Sequence, residues 1–473
     1  MVGNACLTQN YVKSRSNKFC SYQDARELTM MLIAVIIIIM IIVFNLIIIM
    51  IKVCDQKINT GNDDPTTFSR VQQSNSQHII MSQKISERLY KIVRITKFCA
   101  NICGLDIYED DYRVNVRTIF TITVIGVSFV FLTYAMLDGY YQEGDWTILV
   151  QVISLAGGTL LQGFFVVILF LTKQEKYRFL LKESMALYEK YEQKDSDYRM
   201  YLNKGILLLT NFMKICAFIN LMLVLGMSSV TIIYNFIFGT YETLVYGYCP
   251  WVSIYTTGGL WATNAVQALF IAVGGFGLYS GDMSVLTPIS QIPTFKGILQ
   301  CKFREINDLL DDDYDTELEK KSKTLAALKD ILQFHQKYLI FLEVSRDAVY
   351  WSVFVKMGTC FIGVAFALFC IMLGSWPAGY IYLLYCFVMM QVFCGMGTLV
   401  DITNEEFIQS CYNDARWYDL TISEKKMLNI MLMMAQKTEG LTIASIMPLS
   451  MNTGLQVTKT IYSLTMLLLT FVN

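Results

Sequence analysis

The sequence predicts an all-α membrane protein of seven transmembrane helices, with its amino terminus in the cytosol and its carboxyl terminus outside. Three observations predict it. The 473 residues are 54% hydrophobic and only 16% charged, against about 25% charge in ordinary soluble domains, and mean hydropathy is +0.44. Seven apolar stretches beyond residue 115 reach the roughly 20 residues that a helix needs to cross a bilayer. Lys and Arg crowd alternate loops and are missing from the rest.

The composition also excludes several function classes. The net charge of −1 gives no electrostatic case for nucleic acid. The thirteen cysteines form no C-x-x-C ladder, so neither a zinc site nor a disulfide scaffold is expected. The histidines are His78 and His335, too few for metal or acid–base chemistry, and no cofactor is expected. A membrane enzyme needs an activated nucleophile, usually beside a His, and no span carries that arrangement. A transporter would show internal repeats and intramembrane charge. No repeat is visible, and Lys214 and Lys356 are placed toward cytosolic span ends, where they can snorkel.

In chain order the spans are 118–137, 146–172, 206–232, 254–281, 351–373, 380–400 and 451–472. An additional Ile-rich stretch, 28–51, is long enough to cross and is followed by a polar linker to residue 84. Residues 1–84 therefore read as an extension ahead of a working domain over 85–473. The segments before the first span, between the second and third, and between the fourth and fifth are rich in Lys and Arg. The loops "DGYYQEGD", "YNFIFGTYETLVYGYCPWV" and "SWPAG" contain neither. Positive charge stays inside, which sets the orientation. It is the reverse of a G-protein-coupled receptor.

The cytosolic segments 283–350 and 401–440 are expected to pack together. The second half of 283–350 has Leu325, Leu328, Ile331 and Leu332 at helical spacing, with Asp330 and Arg346 on the polar side and His335 at a surface or interface. A Met-rich amphipathic helix is expected over 423–437, with Ser423 as its N-cap. Asp282 reads as a cap or loop charge. "SLAGGT" (154–159) and "YTTGGLWATNA" (255–265) are rich in small residues. These either let helices approach closely or leave room for a ligand.

Three stretches resemble the insect odorant receptor family, of the mosquito kind. They are "CGLDIYEDDYR" (103–113), "MGTLVDITNEEFIQSCYNDARWYDL" (396–420) and the closing region from "KKMLNIMLMMAQK" to "TIYSLTMLLL". Within them the matching residues are Gly397, Thr398, Asn404, Glu405, Tyr412, Trp417 and Tyr418. Ala435–Lys437, Pro448–Ser450, Lys459–Thr460 and Tyr462–Ser463 follow. Leu464 stands where the family has an aromatic residue. Gustatory receptors share the fold but favour Gln-Phe after the Tyr, and Gln is absent here.

The resemblance implies the insect odorant receptor channel fold and an odorant-gated, nonselective cation channel in the plasma membrane of olfactory sensory neurons. This chain looks like a tuning subunit that forms a heterotetramer with a shared co-receptor. A small volatile odorant is the implied ligand, bound among the outer halves of spans two to six. Those halves hold Ile153, Ser154, Leu221, Leu225, Ser228, Trp261, Ala262, Ala265, Phe366, Phe369, Tyr382 and Tyr385. The family lines its pore with the last span, here through Tyr462, Thr465 or Met466, and Leu469 at helical spacing. A narrow ring of that kind can close by dewetting. The cytosolic subunit anchor is implied to include Tyr412, Trp417 and Tyr418.

Overall fold

The computed structural model describes residues 84–105, 108–109, 112, 114–138, 146–239, 242–245, 252, 256–311, 317–373, 376–437 and 440–470. The Ile-rich stretch 28–51 and the linker after it, to residue 83, lie outside the described residues. The chain order is α1 (Ile85–Ile102), α2 (Val116–Asp138), α3 (Trp146–Leu155), a π-helical turn (Ala156–Leu160) and α4 (Leu161–Tyr191). Then come α5 (Ser196–Phe238), α6 (Thr257–Asp311), α7 (Glu317–Met372), α8 (Gly379–Asn413), a 3-10 turn (Trp417–Asp419) and α9 (Ile422–Gln436). A short hairpin, β1 (Thr442–Ile443) and β2 (Met447–Pro448), leads into α10 (Met451–Thr470).

Among the described residues, six helices are long and apolar enough to cross a membrane: α2, the α3–α4 rod, α5, α6, α7 and α8. The seventh expected span is helical as α10. Asn452, Gln456 and Lys459 make its first half more polar than the rest. The two longest helices, α6 and α7, have 55 and 56 residues, or about 80 Å at 1.5 Å per residue. The hydrocarbon core is only ~30 Å thick, so both continue far outside it.

That length corrects the reading of 283–350 as a loop with one helical half. The span-four helix runs on to Asp311, and the chain is helical again from Glu317. Pro288 and Pro293 lie inside α6, Pro288 buried and Pro293 half-buried. Each lacks an N–H, which leaves the carbonyls of Ser284 and Ile289 without their i+4 donor, yet the helix carries through. The extensions of α4 to α8 are knitted by rings: Tyr191 stacks on Tyr198 at 5.2 Å, and Phe295 meets Phe341 at 4.5 Å. His335 is buried in this cluster, stacked on Phe407 at 5.5 Å, and not at a surface.

The start of α9 is also corrected. Thr421 is the N-cap, not Ser423, and its hydroxyl and the Glu424 carboxylate form a reciprocal capping box. Lys356 does not snorkel. It is 2% exposed and ion-paired with Asp282, which is itself buried within α6.

The closing region owes its position to the matched motif residues. Gly397 lies against the Leu449 carbonyl, where any Cβ would collide with backbone. Beside it, the Thr398 hydroxyl accepts the Met451 N–H at 2.8 Å. Ser450 accepts the Thr453 N–H at 3.2 Å and caps α10. Thus "Gly-Thr" and "Pro-Leu-Ser" are two halves of one joint between α8 and α10.

Candidate functional site

A cavity of about 160 Å³ lies between α2, the α3–α4 rod, α5 and α6, closed on one side by Tyr382 of α8. On α2 it is lined by Thr121, Ile125, Ser128 and Leu132, one helical face at i, i+4, i+7, i+11. On the rod the facing residues are Leu155, Thr159, Gly163 and Val166, and on α6 they are Gln267, Ile271, Gly274 and Leu278. Leu223 and Met227 of α5 complete the wall.

Residues 156–159 of the glycine-rich "SLAGGT" fold into the π-helical turn. A Cβ at Gly158 would collide with the Tyr382 hydroxyl, and one at Gly157 would come within 3.0 Å of Ile362. The Tyr382 hydroxyl donates to the Ser154 carbonyl at 2.9 Å. The small residues therefore serve close approach of α8 and α7 to the rod. They are not themselves empty space, and π-turns of this kind frequently mark functional sites.

Residues 242–245 are pinned beside the cavity. Asn235 exchanges hydrogen bonds with the Glu242 backbone at 2.7 and 2.9 Å. Leu244 N–H donates to Asn264 Oδ1, and Val245 N–H to Gln267 Oε1, each at 3.1 Å. Trp376 Nε1 donates to the Leu244 carbonyl at 3.5 Å, and its ring lies 5.5 Å from that of Tyr382. Glu242 is largely enclosed, and burial pushes its carboxyl above the ordinary 4.5.

Of the expected ligand-binding residues, Tyr382 lines the cavity and Ser154 holds its hydroxyl. Ile153, Leu221, Leu225, Trp261, Ala262 and Ala265 lie on the outer surface of the single chain. On α6 the inward residues are Thr263, Asn264 and Gln267. Ser228 is half-buried and bonded to the Val224 carbonyl at 3.1 Å. Phe369 and Tyr385 are buried, and Phe366 is partly buried against the core. Of these four, none lines the cavity. The α2 stripe was not anticipated. Its one polar signal was the seven-residue spacing of Thr121 and Ser128.

Two further sets are placed differently. On α10, Tyr462 and Met466 are exposed on one face, Leu469 is half-buried, and Thr465 turns inward, its hydroxyl bonded to the Ile461 carbonyl at 2.9 Å. Near the opposite end of α8, Tyr412 stacks on Trp417 at 5.9 Å and Trp417 meets Tyr418 edge-on at 5.9 Å, all three exposed. Exposed Ile422, Ile430, Met433 and Met434 of α9 follow in sequence. Among the described residues there is no cluster of His, Cys, Asp and Glu able to hold a metal.

The chain is similar to several known proteins. The family profile described as "7tm Odorant receptor" matches residues 152–462. "Putative odorant receptor 83c" of Drosophila melanogaster is 26% identical over 403 residues, covering 82% of this chain and 98% of that protein. Among solved structures, the insect olfactory receptor OR5 from Machilis hrabei in complex with eugenol has a TM-score of 0.67 at 14% identity. It covers 83% of this chain and 100% of the receptor's. A second structure of OR5 from Machilis hrabei gives 0.65 at 14% identity, with 82% and 100% covered. The profile match spans more than half of the chain, so this protein belongs to the insect odorant receptor family.

Proposed function

We propose that this chain is the tuning subunit of an odorant-gated, nonselective cation channel. It assembles with a co-receptor as a heterotetramer in the plasma membrane of olfactory sensory neurons. The amino terminus is cytosolic and the carboxyl terminus outside, as the loop charges require.

The observation that carries this reading is the two-sided character of α10. One side is anchored to the bundle through Gly454, Ile461 and Thr465, while Tyr462 and Met466 are exposed in the single chain. A helix that were only a lipid-facing span would have little use for Gln456, Lys459 and Thr460 on its open side. Four such faces around an axis make a passage lined by hydroxyls and closed by apolar rings. Tyr412, Trp417 and Tyr418, with the Met-rich side of α9, supply the aromatic and Met surface typical of subunit contacts. The cavity beside Tyr382 is the odorant site. Its apolar lining suits a small volatile, and the eugenol complex of the distant relative OR5 supports a ligand of that class.

The test is odorant-evoked current in cells expressing this chain with and without an insect co-receptor, under a G-protein blocker. A fast cation current that needs the co-receptor and survives the blocker is expected. External labelling of a tag after Asn473 checks the orientation. Silence across a broad panel of volatiles, with that labelling intact, would refute odorants as ligands.

A further inference from the structure

The first helix, α1, rises along the outside of the bundle. At one end the Arg88 guanidinium donates to Asn203 Oδ1 at 3.3 Å, on the charged extension of α5. At the other end the Cys103 thiol donates to the Val273 carbonyl at 3.5 Å, inside the span of α6. From residue 88 to residue 103 the rise is about 22 Å. The cytosolic surface of the bilayer therefore crosses the helix between them, granted the orientation proposed above. One stripe of α1, including Leu89, Ile92, Val93, Thr96 and Cys99, is buried and packs against α4, α5 and α6. The opposite stripe is exposed and changes character on the way up. Lys91 and Arg94 come first, then Ile95 and Phe98. Phe98 is 66% exposed in the single chain.

The charge on this face has one sign. From Arg88 to Ile102 the helix has no acidic residue, against Arg88, Lys91, Arg94 and Lys97. Lys97 is partly offset by Glu109 at 3.8 Å. Arg94 lies over the exposed Tyr90 ring, Cζ 5.9 Å from its centroid, a contact that braces the guanidinium without neutralising it. Two turns above Arg94, Asn101 Oδ1 accepts from Arg117 Nη1 at 2.8 Å, which holds a further cation at the start of α2. Val116, Ile119 and Phe120 around it are exposed and apolar, so the face of α1 runs on into the lipid-facing side of α2. An exposed aromatic between cations on one helix face suits an anionic lipid interface. Water would leave Phe98 uncovered, and acyl chains alone would leave Arg94 and Arg117 unsolvated. A phospholipid satisfies both, with phosphate and carboxylate oxygens for the guanidinium groups and acyl chains for the ring.

We propose that this face of α1, together with Arg117, binds an anionic phospholipid of the cytosolic leaflet. The headgroup sits on Lys91, Arg94 and Arg117, and the acyl chains lie against Phe98. A zwitterionic headgroup brings a cation of its own to the same place and gains less. Each basic residue near an anionic lipid surface contributes a factor of about five.

The experiment uses the full chain purified in detergent, with lipid retention read by native mass spectrometry. The probes are phosphatidylserine, phosphatidylcholine with the same acyl chains, and glycerophosphoserine, which has the headgroup without the chains. Phosphatidylserine should be retained at least about tenfold better than phosphatidylcholine, and glycerophosphoserine should not displace it. Lys91→Gln with Arg94→Gln should bring phosphatidylserine down to the level of phosphatidylcholine. The charge-conserving swap Lys91→Arg with Arg94→Lys should keep the preference, which separates loss of charge from damage to the fold. Phe98→Ser should weaken both lipids alike. Lys329→Gln, on the α7 extension far from the span, removes a charge and should change nothing. Equal retention of the two lipids by the native chain, displacement by glycerophosphoserine, or an unchanged preference in the double Gln variant would each overturn the proposal. In detergent the assay does not depend on which side of a membrane α1 occupies. Labelling of the tag after Asn473 from the cytosol would refute the orientation separately, and the cytosolic leaflet with it.

Discussion

The ammonium of Lys356 and the carboxylate of Asp282 lie 2.9 Å apart, joining α7 to α6 in the interior of the bundle. The lysine is also flanked by rings, with Nζ 5.4 Å from the centroid of Tyr385 and 5.7 Å from that of Phe393. Removing one partner leaves the other charge buried and uncompensated, which costs about 3–5 kcal/mol. Lys356→Met should therefore lose most surface expression and lower the melting temperature. Lys356→Met with Asp282→Leu removes both charges and should recover most of that loss. If the double variant is no better than the single one, the pair does not act as a unit.

Gly158 and Tyr382 should show coupling of the same kind through shape. Gly158→Ala drives a methyl into the Tyr382 hydroxyl, and overpacking of this sort costs about 1–3 kcal/mol. Tyr382→Phe alone gives up the bond to Ser154, worth about 1 kcal/mol. Combined with Gly158→Ala it makes room for the methyl. The double variant is expected to be more stable than the sum of the single effects predicts, measured by thermal unfolding in detergent. Strict additivity would mean that the helices shift apart instead.

The joint between α8 and α10 is tightly packed, and on the proposed channel reading it should be sensitive to substitution. Gly397→Ala places a Cβ against the Leu449 carbonyl, a backbone group with no rotamer to yield. Unitary currents should be lost or altered even where the subunit still reaches the surface. Thr398→Val removes the acceptor for the Met451 N–H and should produce a milder version, about 1–2 kcal/mol in stability. Normal gating in Gly397→Ala would show that α10 is not positioned through this contact.

Residues 242–245 should hold more firmly in acid. Burial raises the Glu242 carboxyl above 4.5, so the docked segment binds a proton more readily than a free one. This contribution is fully present below pH 4.5 and fades as pH rises through the raised value. The Leu244 and Val245 amides, bonded to Asn264 and Gln267, should be better protected from hydrogen exchange at pH 5 than at pH 7.5, after correction for intrinsic rates. Glu242→Gln should remove that difference. Greater protection at pH 7.5 would be the wrong sign.

Span existence was readable because twenty apolar residues have no other economical use in a chain this short of charge. Helix ends were harder. The extensions of α6 and α7 carry Lys302, Glu305 and Lys329, and composition alone could not separate a charged helix from a charged loop. Thr421 was missed as the cap because Ser423, two residues on, fits the same rule. Tyr382 was readable as an inward aromatic. Trp261 and Leu225 were expected inward and are exposed. A span that is apolar on every side gives no phase to its helix, so only its neighbours decide which face turns in.

The sequence by itself determined the class of molecule, the order of its long apolar helices, the side each loop prefers and the family resemblance. These depend on composition and local patterns, which act within a few residues of chain. The tertiary structure decided that Lys356 and Asp282 neutralise each other, that Gly158 and Gly397 mark close contacts, and that α2 forms a wall of the cavity. Each of these joins residues far apart in the chain, such as Asp282 with Lys356, Gly158 with Tyr382 and Gly397 with Leu449. Packing between whole helices fixes such distances, and no local pattern encodes them.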